Sequence, residues 1–179
     1  MQYLRMGGVA PDGALAGRID ALLVESSAEM RPRRVWLRTV PPQRWLDESK
    51  ALSTRLAGCR EVYLACGTVG AAFDAFQRRV SVKSGADALI VQAIGAAAVE
   101  KVMDSIEDSI RAELAQGETL VTRYSPGYAD FPLSEQRTLL GLLDAPRRAG
   151  VSLTDDMLMV PSKSVSAVIG VRRKEAANG

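Results

Sequence analysis

The chain contains 179 residues, of which 47% are apolar and 25% are charged. This balance is typical of a globular domain with a real core, and it excludes a disordered chain. Basic residues number 23 and acidic residues 21, which leaves a net charge of only +2. A dedicated nucleic-acid-binding protein usually carries a larger basic excess, so we expect no nucleic-acid partner.

The sequence contains no histidine. This absence excludes a Ser-His-Asp triad, a Cys-His dyad, a His-containing zinc site and a haem held by histidine. Any proton transfer by these residues must therefore use carboxylates, Lys, Tyr, Cys or water.

Two cysteines, Cys59 and Cys66, are too few for a framework of disulfides. Their apolar neighbours predict that both are thiols of the core. The first residues lack the apolar stretch of a signal peptide, and no run approaches the roughly 18 apolar residues of a membrane span. We therefore expect a cytoplasmic protein with no membrane contact.

Apolar spacing and turn residues predict five elements before residue 84. They are a helix over 12–28, a strand over 33–40, a helix over 46–57 ended by Gly58, a strand over 61–66, and a short helix containing Phe73 and Phe76. The turn Gly67-Thr68-Val69-Gly70 lacks the motif of a P-loop and the three-glycine spacing of a dinucleotide site. A tight turn from strand to helix explains these residues better than phosphate binding.

A long helix is predicted over 85–116, with Ser84 and Asp87 as a capping box and Gly117 at its end. The later elements are a strand over 118–124, a loop over 125–130, a helix capped by Ser134, and a strand over 165–171. Strands and helices do not alternate strictly. We therefore expect one α+β domain over 1–179, with a mixed or antiparallel sheet, flanking helices and a flexible tail at 172–179.

The segment from Arg123 to Tyr128 has the composition of a small-molecule clamp. A guanidinium group can bind a carboxylate through two charge-assisted hydrogen bonds. A Pro-Gly turn lets backbone groups approach a planar ligand, and Tyr128 offers a flat face and a hydroxyl group. An ordinary turn with a structural Arg is the alternative explanation of the same residues.

The segment RYSPGYADFPLSEQ, residues 123–136, resembles the S-adenosylmethionine loop in the activation domain of cobalamin-dependent methionine synthase. That family's motif, Arg followed after three residues by Gly-Tyr, is met by Arg123, Gly127 and Tyr128. Residues 153–166 and 65–100 resemble two further segments of the family, in the same order. The resemblance is strongest over 56–171 and is closest to the short, free-standing members.

The resemblance implies that the domain binds S-adenosylmethionine and presents its methyl group to a cobalamin held elsewhere. It implies that Arg123 binds the ligand's carboxylate and that Glu100 lies near its ammonium group. The backbone around Tyr124, Ser125 and Gly127 is then expected to contact the adenine. Tyr128 lines the site, and the resemblance assigns no catalytic side chain and no metal ligand.

Three departures from the family leave parts of this assignment open. An aspartate from an early segment of the large enzyme has no clear counterpart, so the ammonium contacts are incomplete. Ala129 stands where free-standing members often have Gly, which stiffens the turn. Lys163 replaces a neutral residue and is either a contact to cobalamin or a partner carboxylate, or an ordinary surface lysine.

Composition limits the role that the resemblance implies. The family's cobalamin domain donates a histidine to cobalt, and its homocysteine site uses several cysteines around zinc. With no His and two Cys, these residues cannot form a whole methionine synthase. The expected partner is a separate cobalamin-binding methionine synthase or another corrinoid protein.

The implied function is an accessory subunit for reductive methylation, in which one electron and a methyl group restore methylcobalamin from cob(II)alamin. Whether the domain counts as an enzyme by itself stays open, and so does the electron donor, a flavodoxin-like or an iron–sulfur protein. The alternative is a non-catalytic sensing or interaction module that docks on a corrinoid methyltransferase. An ordinary methyltransferase is disfavoured because the glycine-rich turn after a first strand is missing.

Overall fold

The computed structural model describes residues 13–173 and contains seven helices and six strands within them. The helices are α1 (Gly13–Glu29), α2 (Gln43–Glu48), α3 (Lys50–Arg55), α4 (Ala71–Lys83), α5 (Gly85–Glu113), α6 (Glu135–Leu142) and α7 (Ala145–Arg148). The strands are β1 (Arg33–Thr39), β2 (Cys59–Thr68), β3 (Glu118–Leu120), β4 (Ser152–Leu153), β5 (Met159–Val160) and β6 (Ser164–Arg173).

The main sheet has four strands in the order β1-β2-β6-β3, and every neighbouring pair is antiparallel. The two ten-residue strands β2 and β6 form its centre, with Leu64 opposite Val168. A separate hairpin pairs β4 with β5. Helices that flank an antiparallel sheet confirm the α+β class predicted from the sequence.

Both faces of the central strands are buried, so alternate residues of β6 belong to different cores. Ala167 and Ile169 pack with Met103 and Ile106 of α5. The intervening Val168 packs in the second core, whose large aromatic members are Trp45 and Phe131. The sheet is thus a middle layer between α5 and the helices α2, α3, α6 and α7.

The N-terminal half of α5 extends beyond the sheet and packs against α1 and α4. Ser84 caps this helix, because its hydroxyl accepts a hydrogen bond from the backbone N–H of Asp87 at 3.2 Å. The predicted capping box is only half formed, since the backbone N–H of Ser84 donates to Val80 C=O and not to Asp87. The carboxylate of Asp87 binds Arg18 of α1 at 2.7 Å. Ser84 therefore fixes the start of α5, and Asp87, three residues later, holds α1 against it.

Two predicted helices have different bounds. The helix predicted over 46–57 is two short helices, because Ser49 has an extended backbone (φ −123°, ψ 107°) and caps α3 through Leu52 N–H. The helix predicted over 85–116 ends at Glu113, since Leu114 is extended. Gly117 occupies the left-handed region (φ 85°) and turns the chain into β3.

Three predictions for the second half are corrected. Regular pairing of the strand predicted over 118–124 stops at Leu120, and only Tyr124 bridges again to β6, opposite Val168. Ser134 does not cap α6 with its side chain, because its backbone is already helical. Arg172 belongs to β6 rather than to a flexible tail, since it pairs with Thr119. Arg173 likewise pairs with Glu118, and residues 174–179 of the predicted tail lie outside the described residues.

The helix α7 and the hairpin of β4 and β5 lie in a segment for which the sequence predicts no element. Strands of two residues and a helix of four carry too little periodicity to be recognised from spacing. Of the helices between residues 13 and 173, none combines the length and the apolar character needed to cross a bilayer.

Candidate functional site

Arg123 lies where the segment after β3 passes beside α5, and it binds three carboxylates of that helix. Its Nη2 atom donates to Glu100 Oε2 at 2.5 Å. Its Nη1 atom donates to Asp104 Oδ1 at 2.9 Å and to Glu107 Oε1 at 2.6 Å. The three acidic residues follow the i, i+4, i+7 spacing that places side chains on one face of a helix.

The ion-pair cluster is partly shielded from water. The Arg123 side chain is 24% exposed and that of Glu107 is 14% exposed, whereas Asp104 is 62% exposed. Burial by itself lowers the pKa of Arg123, but the hydrogen bonds to Asp104, Glu107 and Glu100 outweigh it and raise the pKa. The guanidinium group is therefore charged at every physiological pH and fixed against α5.

Aromatic rings form the next part of the site. The ring of Tyr124 stacks on Phe131 with centroids 6.4 Å apart and lies 6.0 Å from the ring of Tyr128. Arg55 of α3 covers Tyr124 at 5.7 Å. Phe131 is buried in the core, while Tyr128 is 63% exposed. The three rings therefore form a continuous row from buried Phe131 through Tyr124 to exposed Tyr128.

The loop between Tyr124 and Phe131 satisfies part of its own backbone. Gly127 N–H donates to Phe131 C=O at 2.8 Å, and Tyr128 N–H donates to Ser125 C=O at 3.2 Å. Tyr124 uses both its N–H and its C=O in the bridge to Val168. Within the described part of the chain, Ser125 N–H and Gly127 C=O are among the loop groups that have no hydrogen-bond partner, so they can serve a ligand as donor and acceptor.

Gly127 is required by this loop because its φ is 91°, a conformation that L-residues rarely adopt. A Cβ atom at this position would also lie 3.2 Å from Leu133 Cδ1. Ala129 adopts a φ of 47°, so the alanine occupies a left-handed position where glycine carries less strain. The loop conformation thus depends on the Gly of the predicted motif.

Asp130 attaches the loop to α3. Its carboxylate accepts hydrogen bonds from the hydroxyl group of Ser49 at 2.6 Å and from the backbone N–H of Lys50 at 2.9 Å. Ala51 N–H is a further donor, at 3.2 Å. These contacts place a negative charge at the N-terminus of a helix, where it is favourable.

The structure brings the six predicted site residues together in one region of the fold. Glu100 and Arg123 bind each other, whereas the sequence predicts that they contact opposite charges of a ligand. Tyr124 is half-buried and Tyr128 exposed, with the Tyr124 hydroxyl 3.3 Å from Tyr128 C=O. Ser125 and Gly127 contribute the backbone N–H and C=O groups that lack partners among the described residues.

Three contributors are absent from the site predicted from the sequence. Asp104 and Glu107 are not among the predicted site residues, although the i, i+4, i+7 spacing from Glu100 could have revealed both. The contact of Arg55 with Tyr124 joins residues that are 69 positions apart, so no local pattern predicts it.

One cleft borders this region, and Lys163 lies beside the N-terminal half of α5, where a Cβ atom at Gly95 would lie 3.0 Å from Lys163 Cε. A cleft of about 900 Å³ lies on the other side of the segment 120–130 and is lined by Lys50, Arg55, Thr122, Asp130 and Arg172, among others. Lys163 is half-buried, and burial lowers the pKa of its ammonium group while the charge of Asp74 opposes that change.

Comparison with solved structures supports the fold assignment. The chain superposes on the crystal structure of the MetH reactivation domain bound to AdoHcy with a TM-score of 0.66. The alignment covers 99% of this chain and 71% of that one, at 16% sequence identity. No curated protein sequence matches the chain significantly.

A family model gives the more specific result. Residues 78–176, more than half of the chain, match the model of the vitamin B12 dependent methionine synthase activation domain. The matched range includes α5, with the three carboxylates that bind Arg123, and the loop from Arg123 to Tyr128. The chain therefore belongs to the family of activation domains of vitamin B12-dependent methionine synthase.

Proposed function

We propose that this domain binds S-adenosylmethionine between α5 and the loop 123–128 and supplies its methyl group for reductive methylation of cob(II)alamin. The cobalamin is held by a corrinoid protein that lies outside residues 1–179. The observation that carries the proposal is the convergence of Arg123, the Gly127-Tyr128 turn and Glu100 in a chain of this family.

The contacts of Arg123 leave it able to bind a ligand. Asp104 and Glu107 both occupy Nη1, and Glu100 accepts from Nη2. No residue between 13 and 173 accepts a hydrogen bond from Nε of Arg123. Nε–H and one N–H of Nη2 lie on the same edge of a guanidinium group, the edge that suits the two oxygens of an amino-acid carboxylate.

The loop supports recognition of the adenine. Adenine presents an amino donor beside a ring-nitrogen acceptor, which is the complement of one backbone C=O and one backbone N–H. Gly127 C=O and Ser125 N–H are such a pair, since neither has an internal partner among the described residues. Tyr128 adds an exposed aromatic face.

Isothermal titration of S-adenosylmethionine tests the ligand assignment. We expect Arg123→Ala to weaken binding about 10- to 150-fold, because a shielded charge-assisted pair contributes about 1.5–3 kcal/mol. Arg123→Lys should recover little of this loss, since lysine keeps the charge but not the planar fork.

Removal of Arg123 also leaves three carboxylates facing one another, so the titration needs a control for folding. The thermal unfolding temperature of each variant and its circular dichroism spectrum provide that control. Unchanged dissociation constants in two folded Arg123 variants would contradict the assignment.

A reconstituted assay tests the role beyond binding. The domain, a corrinoid protein carrying cob(II)alamin, an electron donor and labelled S-adenosylmethionine are mixed, and transfer of the labelled methyl group is measured. We expect transfer that requires all four components. Ligand binding without transfer to any corrinoid protein of the host would favour the sensing module instead.

A further inference from the structure

The face of α5 beside the loop carries more negative than positive charge. Glu107 binds Arg111 as well as Arg123, and Asp108 also binds Arg111. With Glu100 and Asp104, the ion-pair network on this face joins four carboxylates to two guanidinium groups, an excess of two negative charges within the network. Holding Arg123 in place for a ligand carboxylate does not require four carboxylates.

The excess charge matters for the two forms of the proposed ligand. S-Adenosylmethionine carries a sulfonium, an ammonium and a carboxylate group, so its net charge is positive. After loss of the methyl group, the thioether product carries only the ammonium and carboxylate groups and is neutral overall. The two molecules share their carboxylate, ammonium and adenine contacts and differ by one charge and one methyl group.

We propose that Asp104 and Glu107 make the site prefer the sulfonium form over its demethylated product. This inference rests on the proposed function, since it concerns the same site. Both carboxylates act through the electrostatic potential at the sulfur position, and no direct bond to the sulfur is needed. The preference favours entry of the methyl donor and release of the product.

The hydrogen bonds of Arg123 give these two residues a positioning role as well. Asp104 and Glu107 bind the same nitrogen, Nη1, at 2.9 and 2.6 Å. Neither acid occupies Nε of Arg123, which has no acceptor among the described residues, so the carboxylate of either ligand meets the same guanidinium group. Asp104 and Glu107 therefore discriminate between the two ligands only through the positive charge of the sulfonium group.

The test compares dissociation constants for S-adenosylmethionine and S-adenosylhomocysteine in wild type, Asp104→Asn and Glu107→Gln. We expect wild type to bind the sulfonium form more tightly. In each variant the ratio of the two dissociation constants should fall about 2- to 10-fold, the effect of removing one charge several ångströms away in a partly hydrated site. An analogue with an ammonium-bearing carbon in place of the sulfonium should bind like S-adenosylmethionine.

Glu113→Gln is the matched control because it removes one carboxylate from the same helix but on the opposite side, where Glu113 accepts from Trp36. Its ligand preference should equal that of wild type. Raising the salt concentration with wild type alone should also reduce the preference, since added salt screens exposed charges such as Asp104. This second measurement keeps the test valid if a variant folds poorly.

The outcomes separate this inference from the proposed function. If wild type binds both ligands and their ratio is unaffected by the two substitutions and by salt, the inference is wrong and the binding function stands. If wild type binds neither ligand, the proposed function fails and the inference fails with it. A ratio that falls equally in Glu113→Gln would also overturn the specific role of Asp104 and Glu107.

Discussion

At the scale of single residues, the site is built on competition between charges. Glu100 and Arg123 bind each other. In an amino-acid ligand, the ammonium group would pair with Glu100 and the carboxylate group with Arg123. Glu100 is 38% exposed and Arg123 24% exposed, so water and a ligand can both reach the pair. A zwitterionic ligand can replace one internal ion pair with two external pairs at little electrostatic cost.

Glu100→Gln tests this exchange. We expect S-adenosylmethionine to bind about 1.5- to 5-fold more weakly, because an ion pair in a partly exposed site contributes about 0.2–1 kcal/mol. A ligand that lacks the amino group should bind wild type more weakly and respond little to the substitution. Titration of both ligands against both proteins forms a double-mutant cycle that isolates the pairwise energy.

The cycle also accounts for the bond between Glu100 and Arg123, since its loss affects both ligands. Equal weakening of the two ligands would show that Glu100 is structural. The ammonium partner would then have to lie elsewhere in the domain.

At the scale of elements, close packing of α4 against α5 sets the position of the acidic face. Gly95 lies where Phe73 of α4 meets α5, and a Cβ atom there would lie 2.5 Å from Phe73 Cε1 and 3.0 Å from Lys163 Cε. The glycine is needed because Phe73 is fully buried and its ring cannot move into free space.

Gly95→Ala should therefore destabilise the domain by about 1–3 kcal/mol, the usual cost of overpacking a core. Urea unfolding followed by circular dichroism measures the change. Gly17→Ala in α1 is the matched control, since a Cβ atom at Gly17 would meet no described atom within 4 Å apart from its own stretch of helix, and alanine favours a helix by up to about 1 kcal/mol. A Gly95→Ala protein as stable as wild type would refute the packing argument.

The junction of the loop with α3 is a second determinant at this scale. The hydroxyl group of Ser49 and the backbone N–H groups of Ala51 and Lys50 lower the pKa of Asp130 below its ordinary value of 3.8, against a smaller effect of desolvation. A carboxyl group with a lowered pKa stabilises the fold above its unfolded pKa and loses that contribution as the pH falls through the folded value.

Asp130→Asn should accordingly lower the unfolding temperature by about 2–5 °C at pH 6, as loss of a charged helix cap does. The difference from wild type should shrink as the pH falls below 3.8 and Asp130 becomes protonated. Calorimetry at pH 6, 4 and 3 measures it. The matching change at Asp155, which has no hydrogen bond or ion pair among the described residues, should have no effect, and a constant difference at every pH would exclude the proposed cap.

At the scale of the whole molecule, the sheet is a middle layer that is buried on both faces. Cys66 of β2 lies in the core with Val35 and Leu64, and burial raises the pKa of its thiol to about 12. Cys59, at the start of the same strand, is half-buried, and burial raises its pKa as well. The sequence predicts two core thiols, and the structure fully buries only Cys66.

Thiol labelling follows from this difference. At pH 8 a disulfide reagent should modify Cys59 slowly and leave Cys66 unmodified in the folded protein, because only the thiolate reacts. In a Cys59→Ser variant, labelling of Cys66 should follow the same urea midpoint as circular dichroism. Rapid labelling of Cys66 without denaturant would contradict the buried middle layer.

The amino-acid sequence by itself determined the α+β class, the start of α5 at Ser84 and the loop around Gly127. Each of these depends on neighbouring residues: a capping side chain, an apolar period, or a glycine at a turn. Local rules failed at Ser49, where the extended backbone that ends α2 and caps α3 is held by Asp130, 81 residues away.

Only the tertiary structure decided how the charges of the site are paired. The spacing of Glu100, Asp104 and Glu107 predicts a shared helix face, but it does not say which cation faces it. Arg123 reaches that face because Tyr124 pairs with Val168 in the sheet that α5 crosses. This contact joins residues 16 or more positions apart. It depends on how the sheet holds the segment after β3 beside α5, and no local pattern in the sequence specifies it.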